Sequence, residues 1–266
     1  MKAKRILMTA GRGGVGTGFC TVNLALALVR AGQRVLLVDG SPLCRSLDAI
    51  LACSEDVVYD LSDLCAGAIS ARELLLTPPR GEGLCLIPGV FAAEDLPKAG
   101  ALHKALDTIE ADFDFMLVDA PALPATLAGA GRYDLCCILS DPSAASLRGA
   151  ERAGLALREA GAREVRMILN RFSLLPVRES GQATALSMVD AAHVQLLGII
   201  PPVGEDDFAS RVPAEEYPLL GDYRPYKRDR ARTAFINLAA RLMGESRPLL
   251  TGMRGLSSTR RRELLY

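Results

Sequence analysis

Seven short apolar runs punctuate the chain: Ile6–Met8, Val35–Val38, Leu84–Ile87, Phe115–Val118, Cys136–Leu139, Val165–Leu169 and Leu196–Ile200. All but Val165–Leu169, which carries Arg166, lack polar residues and none alternates, which suits strands covered on both faces. The periodicity between them predicts helices over Val22–Ala31, Leu96–Ile109, Ser146–Ala160 and Ala183–Val194. Strands alternating with helices predict an α/β fold with a doubly wound, mostly parallel sheet. Pro201-Pro202 and Pro213–Pro225 read as surface loops, and Thr233–Met243 as a last packing helix. The expected organisation is one domain over residues 1–244 and a basic tail over 245–266.

One stretch carries candidate chemistry. Thr9–Leu24 reads T-A-G-R-G-G-V-G-T-G-F-C-T-V-N-L, after the first apolar run and into the first helical pattern. A strand, a Gly-rich turn and a helix N-terminus form a cradle for phosphate, because backbone N–H groups and the helix end favour an anion. Gly11-x-x-x-x-Gly16 has Walker A spacing, which predicts a P-loop NTPase-like domain. That loop continues with Lys, for phosphate charge, and Ser or Thr, whose hydroxyl holds Mg²⁺. Here the two places hold Thr17 and Gly18.

Composition narrows the classes. Half of the 266 residues are hydrophobic and the formal net charge is zero, so no global field points to nucleic acid or membrane. The charge is uneven: residues 224–266 hold eleven Lys/Arg and three Asp/Glu. The seven cysteines include no C-x-x-C pair, which fits a reducing cytoplasm better than a zinc or iron–sulfur site. No secretory signal or long apolar span is read, so the body is expected to be soluble. His103 and His193 are isolated on helical patterns and read as ordinary helix residues.

The Thr9–Leu24 stretch resembles the deviant Walker A of the MinD/ParA ATPases, G-K-G-G-V-G-K-T-T-T-x-x-N-L. The resemblance continues through V-D-G-S-P-L-C-R-S-L-D at Val38–Asp48, V-V-Y-D-L at Val57–Leu61 and V-D-A-P-A at Val118–Ala122. It extends to S-D-P-S-A-A-S-L-R at Ser140–Arg148, L-N-R at Leu169–Arg171, G-I-I-P at Gly198–Pro201 and the basic tail. It implies an ATP-dependent homodimer that meets anionic membrane through its C-terminus, with division-site regulators as partners.

Residue by residue, the resemblance implies a nucleotide site from Gly11, Arg12, Gly13, Gly14, Val15, Gly16, Thr17, Gly18, Phe19, Asn170 and Arg171. Arg12 stands at the signature Lys that reaches the partner's phosphates, with a solvated loop Arg as the other reading. Arg12 and Asp39 are the catalytic candidates. Asp39 and Asp119 match the switch and Walker B acids that hold Mg²⁺, and Asn170 an adenine-reading Asn; a plain turn residue is its alternative. Phe19 either packs into the sheet or fills part of the pocket. Asp48 reads as a helix-end or surface acid.

Three places depart from the pattern: Thr17 for Lys, Gly18 for a hydroxyl and Ser41 for the second switch acid. A charged hydrogen bond is worth about 1.5–3 kcal/mol, so loss of the Lys alone weakens nucleotide binding by roughly 10- to 100-fold. Leu123 replaces a Gly beside the γ-phosphate. Together these point to a pseudo-ATPase with weak or lost ATP/ADP and Mg²⁺ binding. The tail residues Met253, Leu256, Arg260, Arg261, Arg262, Leu264 and Leu265 are candidate membrane contacts; a solubilising disordered tail is the alternative. The expected location is cytoplasmic and peripheral at the inner face of the cell membrane. Rival readings are a slow ATPase using Arg12, a scaffold for pilus or flagellar assembly, an iron–sulfur relative, and a DNA-partitioning protein, nucleic acid ranking below membrane.

Overall fold

A computed structural model describes residues 2–41, 46–79, 81–121, 124–127, 129–174, 181–202, 230–251 and 256–265. All seven apolar runs form strands: β1 Lys4–Ala10, β2 Val35–Asp39, β3 Leu84–Ile87, β4 Phe115–Asp119, β5 Leu135–Ser140, β6 Val165–Leu169 and β7 Gln195–Ile199. They make one all-parallel sheet in the order β3-β2-β4-β1-β5-β6-β7. The order reverses direction at β1, so the loop leaving β1 opens at a topological switch point, where open α/β sheets bind ligands.

Among the described residues the α-helices are α1 Thr17–Arg30, α2 Leu47–Ile50, α3 Leu61–Ala66, α4 Ala71–Leu74, α5 Ala99–Asp107, α6 Pro124–Leu127, α7 Ala144–Glu159, α8 Ala185–Ala192, α9 Arg230–Leu242 and α10 Ser258–Leu265. Successive strand residues face opposite sides of the sheet. Leu36, Val38, Met116, Val118, Cys136 and Ile138 pack with α3, α5, α7 and α8 on one side. Leu37, Leu117, Cys137 and Leu139 pack with α1 and α9 on the other. Cys136 and Cys137 therefore point into separate cores as free thiols, and burial pushes the Cys136 thiol up to about 12.

Several helix ends differ from the periodicity, each for a local reason. α5 begins at Ala99 rather than Leu96, because Pro97 drives the preceding residue out of helical geometry; Leu96 has ψ 118°. α8 begins after Thr184, whose hydroxyl accepts the Ser187 N–H, and ends at His193 in left-handed geometry. His193 is thus a helix stop. His103 lies in α5, buried edge-on to Tyr133 at 5.0 Å. The loop at residues 213–225 lies outside the described residues.

Beyond α9, Gly244 takes φ 93° and the chain turns back. Ile199 N–H donates to the Leu249 carbonyl at 2.8 Å, and Leu250 bridges Ile199 in parallel. α10 then lies against α8, with Leu264 fully buried and Leu256 packed on the same core. Among the described residues, the C-terminal segment is thus a helix docked on the body.

Candidate functional site

The loop between β1 and α1 is shaped by backbone demands. Gly14 and Gly16 take φ 80° and 86°, a region that strains most other residues. A Cβ on Gly11 would sit 2.0 Å from the carbonyl of Gly149, so the loop lies directly on the backbone of α7. Val15 is buried in the core and pins the loop's far side. Gly13 and Gly14 are exposed, and Gly16, Thr17 and Gly18 are half-exposed. α1 starts at Thr17 with no side-chain cap and no acid in its first turn, leaving N–H groups and the positive helix end for an anion.

Two residues at the end of β6 brace this loop. Asn170 Nδ2 donates to the Val15 carbonyl at 2.8 Å, and its Oδ1 accepts the Arg171 N–H at 3.0 Å. Arg171, at φ 56°, donates Nη1 to the Gly14 carbonyl at 2.9 Å. The amide expected at a base edge is engaged within the protein on both its nitrogen and its oxygen. Phe19 packs edge-on to Phe235 of α9 at 6.0 Å, on the helix side of that core.

Arg12 also turns inward, toward its own chain. Its Nη2 donates to Asp141 Oδ2 at 2.7 Å and its Nε to Ser146 Oγ at 2.5 Å. Burial works against ionising Asp141, but the Ser143 and Ser146 hydroxyls, the Ser143 N–H and the Arg12 charge outweigh it and hold the carboxyl below its usual range. Asp141 and Ser146 sit inside Ser140–Arg148, yet sequence reasoning gave them no role. An acid and a hydroxyl five apart across a helix start were the available signal.

Asp39 and Asp119 end adjacent strands in register, and both are buried. Asp39 accepts three backbone bonds, from Ser41 at 3.0 Å, Ser46 at 3.0 Å and Leu47 at 3.1 Å. Burial still raises its pKa against those donors. Asp119 is pushed well above the usual carboxylate range, first by burial and then by the Asp39 charge. Among the described residues no hydrogen-bond donor reaches the Asp119 carboxylate. Paired buried carboxylates, one without a donor, form an oxygen-rich site suited to a hard divalent cation such as Mg²⁺. Asp48 is buried in the first turn of α2, where its Oδ1 accepts the Ala49 N–H, so it is a helix-end acid and not a surface one. Among the described residues no group of three His, Cys, Asp or Glu has metal-binding geometry, and Leu123 lies outside them.

The tail candidates divide. Leu256 and Leu264 face the core, and Arg260 is half-buried with Nη2 donating to the Leu174 carbonyl at 3.2 Å. Arg261 and Arg262 are exposed; Met253 and the side chain of Leu265 lie outside the described residues. No helix among the described residues is long and apolar enough to cross a membrane.

Known proteins share this architecture. Residues 3–153 match the AAA_31 family model, an AAA domain. The chain is 28% identical over 252 residues to the septum site-determining protein MinD of Bacillus subtilis, covering 92% of this chain and 90% of that protein. It is 28% identical over 258 residues to MinD of Escherichia coli K12, covering 92% and 93%. Among solved structures it resembles the MinC:MinD cell division complex of Aquifex aeolicus, with TM-score 0.77, 29% identity and 93% and 98% coverage. MinD from Pyrococcus horikoshii, complexed with Mg-ADP, gives TM-score 0.72 at 25% identity, covering 90% and 96%. With the sheet order, the phosphate-type loop at the switch point and the paired acids beside it, these matches show that the chain belongs to the MinD/ParA family of P-loop ATPases, in the AAA_31 group.

Proposed function

We propose that this protein is a regulator of division-site placement that senses nucleotide without turning it over efficiently. The relatives named as septum site-determining proteins support the biological role. A pseudo-ATPase reading rests on one observation: the loop keeps its backbone cradle while three chemical groups of a working site are replaced, at Thr17, Gly18 and Ser41.

The retained parts bind and orient. The uncapped N–H groups at the start of α1 would hold phosphate oxygens. Asp39 and Asp119 would hold Mg²⁺, directly or through water, and the ion would neutralise phosphate charge when bound. Thr17 offers a neutral hydroxyl in place of a cation. Ser41 offers no carboxylate to orient an attacking water. Arg12 is the remaining cation on the loop, and its guanidinium is engaged by Asp141 and Ser146 of its own chain. That weighs against the rival in which Arg12 drives slow hydrolysis.

Attachment to the inner face of the cell membrane through residues 245–266, and pairing with a second copy across the nucleotide face, complete the proposed role. Titration calorimetry with Mg-ATP and Mg-ADP, beside a phosphate-release assay, tests it. Micromolar to millimolar binding with negligible release is expected. Sustained phosphate release would return the chain to the working ATPases, and no binding at millimolar nucleotide would leave a scaffold with an inherited loop.

A further inference from the structure

Ser46 stands at the N-cap of α2, a position where serine ordinarily accepts the N–H two or three residues on. It makes no such bond. Asp39 takes over, with its Oδ2 accepting the N–H groups of both Ser46 and Leu47. The Ser46 hydroxyl is left to point elsewhere, and the packing around Gly18 shows where. A Cβ on Gly18 would lie 2.8 Å from Ser46 Oγ and 3.4 Å from Asp119 Oδ2. A serine at position 18 would therefore aim its hydroxyl into space that the Ser46 hydroxyl already borders, beside a buried carboxylate that lacks a donor among the described residues. Any side chain at 18 would push Ser46 away. The two residues are complementary: Gly18 opens the space and Ser46 reaches it from the opposite segment.

We infer that Ser46 supplies the Mg²⁺-ligating hydroxyl that the Walker loop lacks at Gly18, so that Ser46, Asp39 and Asp119 form a relocated site for nucleotide-bound Mg²⁺. The inference rests on the nucleotide-sensing reading above. It assigns metal coordination to the segment between β2 and α2 in place of the phosphate loop. Ser46 is continuous with the Asp39 hydrogen-bond network, so bound Mg²⁺–nucleotide would bear directly on the start of α2.

The test measures ADP affinity of the full chain by fluorescent-ADP competition, in excess Mg²⁺ and in excess EDTA. In the wild type, Mg²⁺ should tighten ADP binding; in Ser46→Ala that gain should fall by about tenfold or more. Because Ser46 caps nothing, the unligated melting temperature of S46A should stay close to wild type. Two further variants separate ligation from shape. Ser46→Cys should lose the Mg²⁺ gain and recover it with Cd²⁺, since a thiolate prefers the softer ion. Adding Gly18→Ser to S46A should restore the Mg²⁺ gain by returning a hydroxyl from the loop side. An unchanged Mg²⁺ gain in S46A, or S46C without Cd²⁺ recovery, overturns the assignment while leaving nucleotide sensing intact. No ADP binding with either Mg²⁺ or EDTA overturns both.

Discussion

Asp119 carries the largest electrostatic burden in the site. It is 6% exposed, faces Asp39 and has no donor from the described residues. A carboxyl whose folded pKa is raised favours the fold when protonated, and loses that contribution as pH rises through the folded value. Ionising this pair therefore opposes folding, and a bound cation would relieve it. Asp119→Asn should stabilise the unligated protein by about 1 kcal/mol at pH 7, and should weaken Mg²⁺-dependent ADP binding. The stability gap should narrow as pH falls, because the wild-type carboxyl then becomes protonated too. Urea unfolding at several pH values without nucleotide checks this; a less stable Asp119→Asn at pH 7 would mean that the charge is compensated in the unligated fold.

At the scale of elements, the phosphate-type loop is held from two sides: by the Asn170 and Arg171 bonds after β6, and by its backbone contact with α7. A Cβ on Gly149 would meet the Gly11 carbonyl group at 3.0 Å, while one on Gly11 would overlap the Gly149 carbonyl at 2.0 Å. Gly149→Ala gains about 1 kcal/mol in helix propensity and loses about 1–3 kcal/mol to overpacking, so a modest net loss is expected. Gly11→Ala meets backbone that cannot rotate away and should fall at or beyond the upper end of that range. Denaturant unfolding of both variants measures the order, and a Gly149→Ala variant as stable as wild type would show that the loop shifts easily on α7. The seven strands were legible because short runs that are apolar almost throughout have few other uses in a two-sided sheet, the one polar break being Arg166 in β6. Short elements such as α2 and α4 were not, since four residues carry no periodicity. The site was legible in its loop and acids, but not in its cross-connections. That Asn170 would turn to Val15, or Arg12 to Asp141, depends on loop paths that residue spacing does not encode.

The whole molecule adds a constraint on the proposed membrane role. The tail read as either a lipid contact or a disordered end, because Gly252 and Gly255 interrupt its pattern. Instead α10 buries Leu264 completely against the core shared with α8, leaving Arg261 and Arg262 outward. Of the apolar side chains proposed for a lipid interface, Leu256 and Leu264 are thus ones that hold the helix to the body. Membrane binding through Leu256 and Leu264 must compete with this docking, whereas the outward arginines are available to anionic headgroups at once. Deleting residues 256–266 should therefore have two separable effects. Removing buried leucine contacts should lower unfolding free energy by about 2 kcal/mol or more, read by urea denaturation without lipid. It should also abolish co-sedimentation with vesicles rich in anionic lipid, an association expected to weaken with salt. Unchanged stability would show that α10 contributes little to the body in solution. Lowered stability with undiminished vesicle binding would assign the tail to the fold alone and place any membrane contact elsewhere on the protein.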